Sequence, residues 1–443
     1  MEKNISYKKI WQVSYPIILG SIAQNLINFT DTAFLGRVGE VALGGGALGG
    51  IFYLAVFMLG LGFGMGEQIL VARRLGENHF KEIGKIVNQS LIFLLMLALV
   101  AFIILRFGSE WILGNYVQSQ EVKLSTAAFL DFRAYGIFFA FINVLYRSLY
   151  VGLANTKIIT YTTFLLAAVN IILDYLLIFG HFGFPKMGIS GAALASVIAE
   201  ISAMIYFIIY THIKLDQKKY ELFRKIKFEK QRMMRLLKVA TPTMIQQFVS
   251  LSVWFVFFLF VEKLGEASLA VSNIIRSIYV LLMVPIWGFA TASNTLVSFL
   301  MGKGQSNDVM KLIYKILILS FGSVLLIVIG GFIFPKAFLS VYTNDTVLIS
   351  MGIPVLKVVS IGALFLSIGF IFFSGVAGTG KTNISMLIEF LVLTIYLFYT
   401  HAVIFSWHGD VSMAWTAEWV YGFLMSFISW IYLKSGKWKT YKI

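Results

Sequence analysis

Long apolar runs separated by short polar turns dominate this chain. Twelve of the runs are long enough to cross a bilayer, because a helix needs about 20 apolar residues to span the hydrocarbon core. The pattern therefore predicts an all-α integral membrane protein with twelve transmembrane helices. The predicted spans are 12–35, 46–72, 87–107, 125–150, 158–179, 188–210, 238–262, 268–300, 309–334, 351–376, 382–404 and 411–433.

The composition supports a membrane location. Of the 443 residues, 59% are hydrophobic and 13% are charged, whereas soluble domains carry about 25% charged residues. The chain has no cysteine, which excludes disulfides and thiolate chemistry. A soluble protein of this composition would leave a large apolar surface in water, so that class is excluded.

The distribution of charge predicts an orientation. The net charge is +15, a value that also occurs in nucleic-acid-binding proteins. When the spans alternate across the membrane, however, most basic residues fall on the side of the N-terminus, among them Arg73, Arg74, Lys81 and Lys85. Cytoplasmic loops carry such an excess. We predict a multi-pass protein of the cell inner (plasma) membrane with both termini cytoplasmic, in contact with the lipid bilayer and without a nucleic-acid partner.

The longest polar stretch, residues 212–238, carries ten basic residues. We interpret it as a cytoplasmic basic linker, which is either partly an amphipathic helix on anionic lipid or a plain solvated connector. It divides the chain into an N-terminal six-helix lobe, 1–211, and a C-terminal six-helix lobe, 239–443. We expect the protein to be a monomer.

The two lobes share short sequences at a nearly constant spacing. LGRVGEVAL at 35–43 resembles VEKLGEASL at 261–269, and GLANTK at 152–157 resembles GVAGTGK at 375–381. Because each repeat holds an even number of spans, both have the same orientation, and we expect two pseudo-symmetric six-helix bundles. Repeats of this kind are typical of transporters, with the substrate path between the halves.

Motifs for enzymatic chemistry are weak or missing. Residues 375–382, GVAGTGKT, match the phosphate-binding pattern G-x-x-x-x-G-K-[ST], but that loop requires a preceding strand, and here apolar spans flank it. We interpret it as a turn. The histidines lack metal-ligand spacing, and neither G-x-S-x-G nor H-E-x-x-H occurs. The chain is predicted not to be an enzyme, and no cofactor is expected.

Two aspartates lie inside apolar spans, Asp31 in span 1 and Asp174 in span 5. An acid in the hydrocarbon region is costly and indicates a functional site. Both spans run in the same direction, so the two acids lie at similar depth. Asn170 lies one turn before Asp174 on the same helix face, and Ser196 in span 6 has a comparable depth. This group of oxygens suits a proton or a sodium ion; the alternative is that each acid only pairs with a neighbouring helix.

Other charges within the apolar spans are harder to interpret. Arg276, Lys357 and Glu418 fall at similar depth in the second half, and we expect them to form an ion-paired cluster. The roles of Glu200 and Glu389 are not predicted by any pattern.

The second half lacks acids at the places that correspond to the two aspartates. The repeat places Asp31 opposite about Phe257, and Asp174 opposite Tyr396 or Leu397. We therefore expect the ion-coupling chemistry to be confined to the first half.

Several motifs together resemble the multidrug and toxic compound extrusion (MATE) family of cation antiporters. The most specific are DTAFLGRVG at 31–39, LVARRLG at 70–76, GLANTK at 152–157 and NIILD at 170–174. The resemblance covers essentially the whole chain. It implies twelve transmembrane helices in two six-helix bundles with a V-shaped central cavity. It also implies multidrug efflux, in which organic, mostly cationic, drug-like compounds are exported by alternating access in exchange for protons or sodium.

The resemblance also implies roles for individual residues. Asp31, Asp174 and Asn170 correspond to the family's cation-coupling residues and include a possible sodium site, while Asn143 in span 4 and Ser196 in span 6 are looser matches. Spans 7 and 10 lack the acids that one branch of the family uses, which favours the DinF-like branch. The alternative function is a lipid-linked saccharide flippase of the same wider superfamily, for which a strongly cationic cavity is expected.

Overall fold

The computed structural model describes residues 5–224, 226–441 and 443, without the side chains of residues 110, 112 and 116. All its long elements are α-helices, which confirms the all-α prediction. They are α1 (Tyr7–Val38), α2 (Glu40–Gly76), α3 (Phe80–Ile103), α4 (Ser109–Tyr116), α5 (Gln120–Gly152), α6 (Lys157–Phe179), α7 (Ile189–Lys214), α8 (Gln217–Tyr220), α9 (Lys230–Glu262), α10 (Glu266–Gly302), α11 (Val309–Ile333), α12 (Pro335–Ser340), α13 (Thr346–Gly378), α14 (Thr382–His401), α15 (Val411–Trp415) and α16 (Ala417–Lys434).

Ten helices in the described part of the chain are long and apolar enough to cross a membrane, by length and composition. The other two predicted spans correspond to α1 and to the pair α15 and α16, where a break at Thr416 shortens the last helix. Some helices greatly exceed their predicted spans. With 37 residues, α2 and α10 are about 55 Å long, so they extend well beyond the hydrocarbon core.

The helix lengths repeat between the halves. Helices α2 and α10 both have 37 residues, and α5 and α13 both have 33. A π-helical turn follows α3 at Ile104–Gly108 and another follows α14 at Ala402–Ser406. The predicted internal repeat is therefore visible in the order and length of the elements.

The helices fall into two compact units. The first unit is Leu19–Met244 without residue 225, and the second unit combines Met1–Ile18 with Ile245–Ile443, without residues 1–4 and 442. The boundary between units thus falls inside α1 and inside α9. The sequence-based lobes, 1–211 and 239–443, divide the chain at the linker instead, and that division stays a prediction.

Within the first unit, α2 lies very close to α9. A Cβ atom added at Gly62 would lie 2.5 Å from the Cα of Met244, and one at Gly66 would lie 2.5 Å from the Cα of Ala240. The Thr243 hydroxyl donates a hydrogen bond to the Gly62 carbonyl over 2.7 Å. Small residues allow such close approach in lipid, where no hydrophobic force drives helices together.

The linker binds to the protein itself, through α3. The side-chain amide of Gln89 donates to the Lys227 carbonyl over 2.6 Å, and its oxygen accepts from the Glu229 backbone N–H over 3.1 Å. Arg232 pairs with both Glu229 and Glu82. The described part of the linker, which excludes Lys225, contains the four residues of α8 and the first turns of α9. The linker is therefore held against α3, and its contact with lipid stays a prediction.

The close approach of α2 and α9 generates a prediction. We expect Gly62→Ala to lower the free energy of unfolding by about 1–3 kcal/mol, because the new methyl group would overlap the α9 backbone. The matched control is Gly50→Ala on the same helix, since a Cβ there meets nothing within 4 Å. Thermal unfolding of the two purified variants measures the difference, and equal midpoints would contradict the packing.

Candidate functional site

The structure brings Asp31 of α1 and Asp174 of α6 together. Their carboxyl groups are within hydrogen-bonding contact. Asp174 is fully buried, and neither of its oxygens, nor Oδ1 of Asp31, has a donor within the described residues. Two ionised carboxylates in contact repel each other strongly. The arrangement can therefore be stable only with a proton or another cation on the pair.

Apolar contacts between three helices flank the aspartate pair on both sides. On one side, Ala23 and Ile27 of α1 pack with Ala167 of α6. On the other side, Leu35 of α1 packs with Ile178 of α6 and with a residue of α7. These contacts fix the rotation of the two helices, and that rotation turns both acids toward the same point.

Asn170 and Ser196 add polar groups one turn along α6 and on α7. The Asn170 amide donates to the Ser196 hydroxyl over 3.3 Å. Asn170 is 1% exposed, and its Oδ1 has no donor among the described residues. The amide oxygen is thus an unused acceptor one helical turn from Asp174. The structure does bring the predicted Asn170 and Ser196 together.

Asn143 of α5 contacts the backbone of α7, and its role in cation coupling stays a prediction. Its amide donates to the backbone carbonyl of Glu200 on α7 over 2.9 Å. That carbonyl lies one turn beyond Ser196, so Asn143 ties α5 to α7. This hydrogen bond goes to the backbone of α7 and not to either aspartate.

Sequence reasoning did not identify the ion pair between Arg133 of α5 and Glu200 of α7. The guanidinium donates two hydrogen bonds to the carboxylate, over 2.8 and 2.6 Å. It also lies 3.6 Å from the centre of the Tyr53 ring, and the Tyr53 hydroxyl donates to Glu200 over 3.1 Å. Arg133 interacts electrostatically with Asp31 as well. One cation is thus shared between a buried glutamate and the aspartate pair.

The prediction that Arg276, Lys357 and Glu418 form an ion-paired cluster in the second unit is wrong. Glu418 of α16 accepts hydrogen bonds from the hydroxyls of Tyr279 and Tyr396, each over 3.1 Å. Within the described residues, neither Arg276 nor Lys357 forms a salt bridge with it. Glu418 is buried while both cations are exposed. Similar depth along the sequence does not bring side chains together when they project from different helix faces.

The donor atoms around the aspartate pair suit a proton or a monovalent cation. No three His, Cys, Asp or Glu side chains come together as a metal site in the parts of the chain that the structure describes. The possible sodium site at Asp31, Asn170 and Asp174 stays a prediction.

Buried acids inside a bundle of apolar helices are typical of ion-coupled membrane transporters. A family model described as MatE matches residues 16–176 and 242–400. The chain therefore belongs to the MatE family, whose members are multi-pass, ion-coupled transporters and not enzymes. The resemblance noted in the sequence is confirmed.

Individual proteins extend this similarity along the chain. The chain is 25% identical to a probable multidrug resistance protein NorM of Thermotoga maritima, over 98% of this chain and 93% of that protein. A probable multidrug resistance protein NorM of Agrobacterium fabrum is 26% identical over 74% of this chain and 70% of its own. The outward-facing structure of a multidrug resistance MATE family transporter matches the fold with a TM-score of 0.90 at 18% identity, over 98% of both chains.

The Arg133–Glu200 pair generates a prediction about stability. We expect Glu200→Gln to destabilise the protein by about 3–5 kcal/mol, because it leaves the guanidinium buried without its partner. The double variant Arg133→Met/Glu200→Leu is expected to lose less, since no charge remains buried. The control is Asp131→Asn, which removes the half-exposed pair with Arg106 and should cost at most about 1 kcal/mol. Thermal unfolding distinguishes these outcomes, and equal losses for Glu200→Gln and Asp131→Asn would contradict the account.

Proposed function

We propose that this protein is a multidrug efflux antiporter that exports organic, mostly cationic, compounds in exchange for protons by alternating access. Membership of the MatE family supports transport of small molecules by an ion-coupled mechanism. The names of the similar proteins support drug-like substrates. The saccharide flippase is not favoured, because the conspicuous buried charges of the first unit include an acidic pair.

The observation that carries the proposal is the direct contact of Asp31 with Asp174. A proton can bridge two carboxyl groups that are in contact, whereas a sodium ion requires several oxygen ligands around it. Such a pair titrates as a unit. The contact therefore favours the proton over sodium as the coupling ion, with Asp31 and Asp174 as its carriers.

The coupling follows from charge repulsion. When the shared proton leaves, the two carboxylates repel each other and α1 is pushed away from α6. When a proton binds, the two helices can close again. A ligand shifts a conformational equilibrium only by binding one state better than the other, and here the state with α1 and α6 in contact is the one that binds the proton.

Neighbouring groups adjust this exchange. The positive charge of Arg133 stabilises the ionised form of Asp31. Because Arg133 is also paired with Glu200, only part of this stabilisation reaches Asp31. Asn170 and Ser196 offer a second hydrogen-bonding arrangement when the carboxylates separate. We propose that Asn143 acts on this group indirectly, by holding α5 against α7.

We also propose that the protein functions as a monomer in the cell inner (plasma) membrane, with both termini cytoplasmic. The support is the excess of basic residues on one side of the predicted spans, including the linker. In this orientation, substrates move from the cytoplasm outward while protons move inward.

The proposed coupling can be tested by transport. We expect Asp31→Asn and Asp174→Asn to reduce proton-driven efflux of a fluorescent organic cation to the rate of empty liposomes. In each variant only one carboxyl group remains, so release of its proton no longer produces two carboxylates that repel each other. The measurement is efflux from proteoliposomes with an imposed pH or sodium gradient.

The matched control is Asp131→Asn, which removes an exposed acid on α5 and should transport normally. Full activity of Asp31→Asn would contradict the coupling role. Efflux driven by sodium alone, at equal pH on both sides, would contradict the choice of the proton.

A further inference from the structure

The second unit contains two buried carboxylates that the proposed function does not use. Glu389 of α14 and Glu418 of α16 are each 2% exposed. They lie in the predicted spans 382–404 and 411–433. They are therefore different from the acids that one branch of the family has in spans 7 and 10. No sequence pattern predicts a role for Glu389, and the ion pairs expected for Glu418 do not form.

Hydroxyl groups surround both carboxylates. Oε1 of Glu389 accepts from Ser250 over 2.7 Å and from Tyr421 over 2.8 Å. Each oxygen of Glu418 accepts from one tyrosine, Tyr279 or Tyr396. The rings of Tyr396 and Tyr421 pack edge to face with centroids 5.9 Å apart, so the two carboxylates belong to one network. We name this network the glutamate–tyrosine cluster.

No cation neutralises the cluster among the described residues. The groups that face it from α9, α10 and α14 are the serine and tyrosine hydroxyls already named. Arg276 of α10 lies 5.5 Å from the Phe258 ring, and Lys357 of α13 is exposed without a salt bridge to either glutamate. An ionised carboxylate buried without a counter-charge is very unfavourable. Each glutamate must therefore bind a proton or a cation, at least in this conformation.

Two buried oxygen atoms near Glu389 and Ser250 accept no hydrogen bond from the described residues. Oε2 of Glu389 has no hydrogen-bond partner, and Oε1 of Gln246 has none either. Gln246 lies one turn from Ser250 on the same face of α9, since positions i and i+4 are neighbours. A carboxyl proton on Glu389 would supply a donor at this place.

Comparison of the repeats explains why the second unit has a different chemistry. Tyr279 follows Tyr53 by 226 positions, the spacing of the early repeat, and each tyrosine donates to a glutamate on a later helix of its unit. In the first unit, Glu200 is paired with Arg133. Helices α5 and α13 have equal lengths, and aligning their ends places the fully buried Val359 opposite that arginine. The second unit thus also has a tyrosine that donates to a buried glutamate on its last helix, but without the cation.

We propose that the glutamate–tyrosine cluster is a second proton-binding site, in which Glu389 and Glu418 each take up and release a proton. The ligand is a proton because both carboxyl groups are almost completely buried and no basic side chain among the described residues neutralises them. The existence of this site does not depend on the proposed function. Its use in transport would add protons to those carried by Asp31 and Asp174.

The test uses infrared difference spectroscopy of the purified full-length protein between mildly acidic and alkaline pH. The background variant is Asp31→Asn/Asp174→Asn, which removes the carboxyl signals of the first unit's pair. We expect bands of protonated carboxyl groups to remain in this background. Glu389→Gln and Glu418→Gln should each remove one of these bands, and the exposed Glu262→Gln should remove none.

Conservative variants keep the test decisive if a glutamine variant does not fold. Tyr421→Phe removes a hydrogen bond to Glu389, and Tyr396→Phe removes one to Glu418, while both carboxyl groups remain. Each is expected to shift one carboxyl band to higher frequency. Unchanged spectra in these variants, or identical spectra before and after the glutamine substitutions, would overturn the proposal. Loss of efflux in Asp31→Asn is a separate outcome, so failure of the proposed function would not be confused with failure of this site.

Discussion

The cost of a carboxylate inside an apolar helix bundle shapes this structure more than any other constraint. A single acid at the centre of a membrane helix costs about 3 kcal/mol even on the lowest scales. Three arrangements among the described residues illustrate how the protein meets this cost. Asp31 and Asp174 lie in contact with each other, Glu200 pairs with Arg133, and Glu418 accepts hydrogen bonds from two tyrosines. The first and third arrangements require a bound proton or cation, whereas the second is complete without one.

These differences give the two halves of one repeated fold distinct roles. The paired helices have equal lengths, and a tyrosine donates to a buried glutamate in each unit. The scaffold is therefore shared, while the charge around each glutamate is not. The guanidinium of Arg133 forms an ion pair with Glu200 and also interacts electrostatically with Asp31. The charge on the aspartate pair therefore depends on this neighbouring cation. In the second unit Val359 takes the place of the arginine, the described groups that contact the glutamates are hydroxyls, and its carboxylates depend on protons instead.

The sequence predicts some of this well, for physical reasons. Apolar runs predict helices because every backbone group in lipid must be satisfied within its own segment. The α-helical period places Asn170 beside Asp174, and shared depth suggests that Asp31 lies near them. Pairing between distant helices is not predictable in this way. Arg133 and Glu200 are far apart in the chain, and only helix rotation brings them together. The same limitation produced the incorrect cluster of Arg276, Lys357 and Glu418, because depth alone does not specify which face of a helix a side chain occupies.

The shared proton of Asp31 and Asp174 is the central claim, and proton release on substrate binding tests it most directly. The measurement follows a pH indicator when an organic cation is added to the purified protein in weakly buffered, sodium-free detergent solution. The account predicts that binding displaces about one proton from a pair that titrates as a unit, and that Asp174→Asn releases none. Binding of the organic cation without any proton release, or release that persists unchanged in Asp174→Asn, would contradict it.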